Sequence, residues 1–199
     1  MAELTHRESR DETRARILKV ALELIADRGF AATSTREISE HLGFTKAALY
    51  YHFRTKDDLL AAIVAPAIED LARLVSETSP CHGSAARCQI VDGYIDLVTS
   101  HEDLMKVLHD DPAVRRRSAL GDAAPLYQRL TQLLSGTQTP DTAQRTRVRV
   151  ALGGIHLALL RADPKDDKSV VRATALTTAC KALGLHPSAS PHRASSRTP

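Results

Sequence analysis

The chain has 199 residues, 43% of them apolar and 26% charged, with 9 glycines and 9 prolines. That make-up excludes collagen-like, fully disordered and acidic low-complexity chains, and at this length folding buries roughly 70% of the unfolded surface, enough for one large domain or two small ones. The balance of 27 Lys+Arg against 24 Asp+Glu leaves +3, too little to declare a polyanionic partner, yet residues 45–56 hold Lys46, His52, Arg54 and Lys56 with no acid.

Helical spacing begins at once. Ser9 followed by Glu12 has the pattern of a capping box, and Ile17, Leu18, Ala21, Leu22 and Ile25 then recur at helical intervals up to Gly29. Ser34 followed by Glu37 repeats the cap ahead of a two-turn helix that ends at Gly43, where a left-handed stop residue belongs. Thr45 caps a third short helix in which Ala48, Leu49 and Phe53 face inward, while Lys46, Ala47, Tyr50 and His52 remain available outside. Thr55 opens a long fourth helix containing Pro66, with a kink or break expected near Val64 and Ala65.

Residues 78–84 collect turn formers and read as a linker, after which Ile90, Val91, Tyr94, Ile95 and Val98 restore the helical period. Pro112, Pro125 and Pro140 mark the starts of three further helices. The last two helices precede the Asp163-Pro164 break and Gly184, and residues 186–199 carry too few apolar side chains to offset their ordering entropy, so a disordered tail is expected. No β alternation or internal repeat is present. The fold class expected is all-α, with about nine helices.

A helix, a glycine-bearing turn and a short helix with polar groups outside is the arrangement that enters the DNA major groove. Lys46 and Lys56 can neutralise phosphates, the hydroxyls of Thr35, Thr45 and Tyr50 and the His52 ring can hydrogen-bond them, and Ala47 permits close approach to base edges. The plain alternative is a solvated face on a small bundle. Arg7, Arg10, Arg14 and Arg16 are open between an arm that reaches DNA and solvated helix-end charges balanced by Glu3, Glu8, Asp11 and Glu12.

The stretch RGFAATSTREISEHLGFTKAALYYHFRTKDDLL, within a match running from about residue 17 to 60, resembles the DNA-binding signature of the TetR (tetracycline-repressor) family of bacterial regulators. Its most specific parts are Gly29-Phe30, Ser34-Thr35 before Ile38, Gly43-Phe44-Thr45-Lys46, Leu49-Tyr50-Tyr51-His52-Phe53, and Lys56 before Leu59-Leu60. The resemblance implies a helix-turn-helix domain over residues 1–55 and a helical ligand-binding and dimerisation domain over 56–185, followed by the tail. It also implies that Thr35 and Arg36 open the second helix against the DNA backbone, that Lys46, Ala47 and Ala48 face bases, and that Tyr50, His52 and Lys56 clamp phosphates. Tyr51 stays open between packing and DNA. Thr45 stands where serine is common, and Ala48 lacks the hydroxyl or glycine often found there, so base readout leans on Lys46 or on DNA shape.

The expectation is a ligand-responsive repressor that binds a palindromic operator as a homodimer and is released by a small-molecule effector. Ala151, Gly154, Ala158, Ala173, Thr177 and Cys180 on the last two helices, about residues 140–183, permit close approach between copies or within one chain. A ligand pocket is expected from Tyr94, Met105, Leu108, Tyr127 and Leu130, with His109, Arg116 or His156 as polar anchors. No enzyme is expected, because the chain has no Glu-x-x-His pair, His-Glu-x-x-His, glycine-rich phosphate loop or Gly-x-Ser-x-Gly elbow. No cofactor or metal is assigned; Cys81, His82 and Cys88 lack a recognised ligand spacing, and the odd set with Cys180 reads as structural thiols in a reducing compartment. A polar N-terminus and the lack of an apolar run of ~18 residues give the expectation of a cytoplasmic protein without membrane contact.

Overall fold

The computed structural model describes residues 2–77, 83–115 and 123–185, and these contain ten α-helices and no strand. They are α1 (Ala2–Arg28), α2 (Thr35–Leu42), α3 (Lys46–His52), α4 (Lys56–Glu77), α5 (Ser84–Ser100), α6 (Glu102–Asp110), α7 (Pro112–Arg115), α8 (Ala123–Ser135), α9 (Thr142–Leu160) and α10 (Lys168–Ala182). The all-α expectation holds. The helix missed from the sequence is α6, because the corner at His101 (φ −116°, ψ 33°) contains neither glycine nor proline.

Two further boundaries differ from the sequence reading. Helix α1 starts at Ala2, so Ser9 lies inside it instead of capping it. Helix α4 runs through Pro66 as one element, so of the kink or break expected there the break does not occur. The turn residues of the 78–84 linker up to His82, and the tail beyond Leu185, lie outside the described residues.

The chain divides into two compact units. One takes in α1 to α3, α4 up to Ala72, α6 and α7. The other takes in the end of α4, α5, most of α8, α9 and α10. In the first unit α1 packs against α2 and α6, and α2 against α3. Its interior is built from Ile17, Ala21, Ile25, Phe30, Ile38 and Leu49, joined by Leu59 and Leu60 of α4 and Leu104 and Val107 of α6, all buried. Each large aliphatic or aromatic side chain removed from water in this way is worth about 1.5–3 kcal/mol.

In the second unit α9 packs lengthwise on α10, and Tyr94, Ile95, Leu130, Leu134, Ile155 and Cys180 are buried. Arg172 of α10 reaches Asp92 at 2.6 Å and also pairs with Asp96, which ties α10 to α5. No helix among the described residues is long and apolar enough to cross a membrane.

Candidate nucleic-acid interface

The α2–turn–α3 segment is fixed by local hydrogen bonds that its sequence dictates. Ser34 Oγ accepts from Glu37 N (3.1 Å) while Ser34 N donates to Glu37 Oε2 (2.8 Å), a reciprocal cap worth on the order of 1 kcal/mol. Gly43 adopts φ +68°, a left-handed conformation that side-chain-bearing residues disfavour, and Phe44 N then donates to Ser39 O (2.8 Å) to close α2. Two residues on, Thr45 Oγ1 accepts from Ala48 N (3.2 Å) and starts α3.

Leu49 and Phe53, 1% and 4% exposed, anchor α3 to the interior, so the rest of this seven-residue helix faces out. Thr45, Lys46, Ala47, Ala48, Tyr50 and Tyr51 are exposed, and His52 is half-buried. The Lys46 ammonium lies 5.5 Å from the Tyr50 ring centroid. Tyr51, 69% exposed, is an outward group and not part of the interior. At the head of α2, Thr35 is half-buried, and exposed Arg36 pairs with Glu40 at 2.8 Å, a surface contact that contributes little.

The first helix adds charge beside α3. The Arg10 guanidinium carbon lies 5.3 Å from the Tyr51 ring centroid and that of Arg14 lies 4.8 Å from the Phe53 centroid. Burial, and then the Arg10 and Arg14 charges, hold His52 below its ordinary imidazole range.

Lys56 has a different position from the one expected of a phosphate clamp. Its ammonium is half-buried, donates to the carbonyl oxygens of Phe30 and Thr33 (2.7 Å to the latter), and sits 4.1 Å from the Phe30 ring centroid. Nearby, Asp111 accepts from Phe30 N (2.7 Å) and Ala113 N (2.8 Å). Burial raises the Asp111 carboxyl, but the N–H groups of Phe30, Ala113 and Val114 and the Lys56 charge outweigh it, so its pKa falls below the usual value. Sequence reasoning missed this carboxylate, since its partner Phe30 is 81 residues away.

Of the expected ligand residues, Tyr94, Tyr127 and His156 come together in the second unit. Tyr94 Oη and His156 Nε2 are 2.9 Å apart with their rings stacked at 5.8 Å, and burial first, then the Tyr127 hydroxyl, pushes the Tyr94 phenol well above its usual range. Met105 and His109 belong to α6 in the first unit, and Arg116 lies outside the described residues.

Comparison with known proteins bears on the first unit. Residues 17–63 match the family model described as bacterial regulatory proteins, tetR family. This segment is thus similar to the DNA-binding part of the TetR family. The matched TetR segment spans the end of α1, all of α2 and α3, and the start of α4. The HTH-type transcriptional regulator AcrR of Shigella flexneri is 44% identical over 63 residues, covering 32% of this chain and 29% of that protein. The HTH-type transcriptional repressor Rv3405c of Mycobacterium tuberculosis is 34% identical over 94 residues, 43% of this chain and 50% of that protein. The chain thus spans half or less of the length of these TetR-type relatives. Solved structures share the fold: Mycobacterium smegmatis AmtR has a TM-score of 0.66 at 22% identity, covering 87% of this chain and 86% of its own. A TetR-family regulatory protein from Rhodococcus RHA1 also has 0.66, at 21% identity, with 87% and 97% covered.

Proposed function

We propose that this chain is a DNA-binding transcriptional repressor that grips a palindromic operator as a homodimer and leaves it when a small-molecule effector binds. One observation carries the reading: α3 turns Lys46, Ala47, Ala48 and Tyr50 outward from a base anchored by Leu49 and Phe53, inside the segment that matches the TetR family. Lys46 is the side chain long enough to reach an acceptor on a base edge, while the two alanines let the backbone approach. Thr35 and Arg36 at the head of α2, with Thr45, Tyr50, Tyr51 and His52, are assigned to the phosphates on either side. Lys56 is assigned to holding the α1–α2 turn.

The functional division proposed is a DNA-reading part in residues 1–55 and a ligand-binding and dimerisation part in 56–185, acting in the cytoplasm where the DNA is. For the effector, the buried Tyr94 with His156 and the exposed Tyr127 supply aromatic faces and polar groups, which suits a largely apolar molecule with a hydrogen-bonding group. For the dimer, Val150, Leu157 and Val170 are 61%, 55% and 60% exposed on α9 and α10, beside Gly154 and Ala158, which allow close helix approach.

Selection of bound duplexes from random DNA tests the reading. A two-fold symmetric sequence should emerge, and Lys46→Ala should flatten the preference among its variants by about 1–3 kcal/mol per affected base pair. Recovery of no preferred sequence, with binding equal for all duplexes, overturns it.

A further inference from the structure

Helix α1 extends well ahead of the matched segment, which starts at residue 17. On this extension Arg10 and Arg14 are four residues apart, so they share one face of the helix about 6 Å apart along its axis. Both are exposed, and among the described residues neither is paired with a carboxylate. Each has its guanidinium carbon over an aromatic ring at the C-terminal end of α3, Arg10 over Tyr51 (5.3 Å to the centroid) and Arg14 over Phe53 (4.8 Å). Holding a guanidinium over a ring in this way keeps N–H groups for an acceptor. It also restricts the side chain beforehand, so less entropy is lost when the acceptor arrives. An edge of fixed N–H groups matches the paired oxygens of a phosphodiester.

The position adds to this. Tyr51 and His52 close α3 at the end away from Lys46, and the two arginines continue that end with positive charge. We propose that Arg10 and Arg14, together with His52, form a phosphate-binding edge that carries the DNA contact beyond α3 onto the backbone of the same duplex. The inference rests on the DNA-binding reading above. Arg10 and Arg14 contribute affinity and salt dependence, and base choice stays with α3.

The test uses the full chain and the selected duplex, with a scrambled duplex of equal length, in binding titrations across a salt series. Arg10→Gln and Arg14→Gln should each weaken binding to both duplexes. Each lost phosphate contact should reduce the slope of log K against log salt by about 0.9, or about 1.8 for a symmetric dimer. The ranking of base variants should not change. Because Arg14 also lies against Phe53, Arg14→Lys serves as the second variant: it keeps the charge, so it should retain most of the slope. Equal losses in Arg14→Lys and Arg14→Gln, accompanied by a lowered unfolding midpoint, would make Arg14 a packing residue and overturn its part. If the unchanged chain binds the selected duplex with a steep salt slope and all three variants match it, the edge is wrong and the DNA-binding reading stands. If the unchanged chain binds no duplex, both fall together.

Discussion

The ammonium of Lys56 shows how a residue of the right type for DNA can be committed elsewhere. A lysine at the start of α4 is well placed by sequence to meet a phosphate, but its donors go to the carbonyls of Phe30 and Thr33. Removing it leaves two carbonyls of a tight turn without that partner, so Lys56→Met is expected to lower stability by about 1–3 kcal/mol in denaturant titrations. A midpoint equal to that of the unaltered chain, with DNA affinity lost, would return Lys56 to the phosphate backbone. Local pattern was enough for Leu49 and Phe53, because burial on a short helix follows its spacing. It could not reach Lys56 or Asp111, whose partners lie 23 to 81 residues away. Tyr51 falls between these cases: on a seven-residue helix, spacing does not say whether an aromatic ring tucks under or stands out.

At the scale of elements, caps that close on themselves were legible and corners without breakers were not. The Ser34–Glu37 box and the Gly43 stop are realised as their residue types require. The similar pattern at Ser9 is passed over, since a helix already running from Ala2 has its N–H groups bonded inside the ladder. The α6–α7 corner rests on Asp111, which serves Ala113 in its own turn and Phe30 at the end of α1. Asp111→Ala is expected to cost about 1–3 kcal/mol, because the Phe30 N–H loses its acceptor. The sign with pH follows from the lowered folded pKa: this contribution is present above the unfolded value near 3.8 and is lost as pH falls through the folded one. Unfolding followed from pH 7 into the acid range should therefore show a smaller acid-induced loss in Asp111→Ala than in the unaltered chain. Equal acid losses in the two proteins would mean that Asp111 carries no such linkage.

For the molecule as a whole, the all-α class was legible from the lack of alternation and the regular breakers. The assembly proposed for α9 and α10 was only half so. Among the small residues singled out there, Ala151 and Cys180 are buried within the chain, whereas Gly154, Ala173 and Thr177 are exposed. Periodicity marks a helix as apolar on two sides without saying which side another copy would cover. The exposed valines decide the test: Val150→Glu combined with Val170→Glu should give a monomer by sedimentation and weaken operator binding at least about 10²-fold, as expected when two linked half-site contacts become single ones. A dimer that survives both changes would move the interface off this face.

The pairing of Phe30 with Asp111 bears on how the proposed regulator could be rewired. Helices α6 and α7 complete the unit that contains α1 to α3, although they come after α5 in the chain. A graft that transplants only the first seventy-odd residues onto another regulator would leave behind Leu104, Val107 and the carboxylate at 111, and would bare the apolar side of α1 they cover. A working chimera has to carry both segments across.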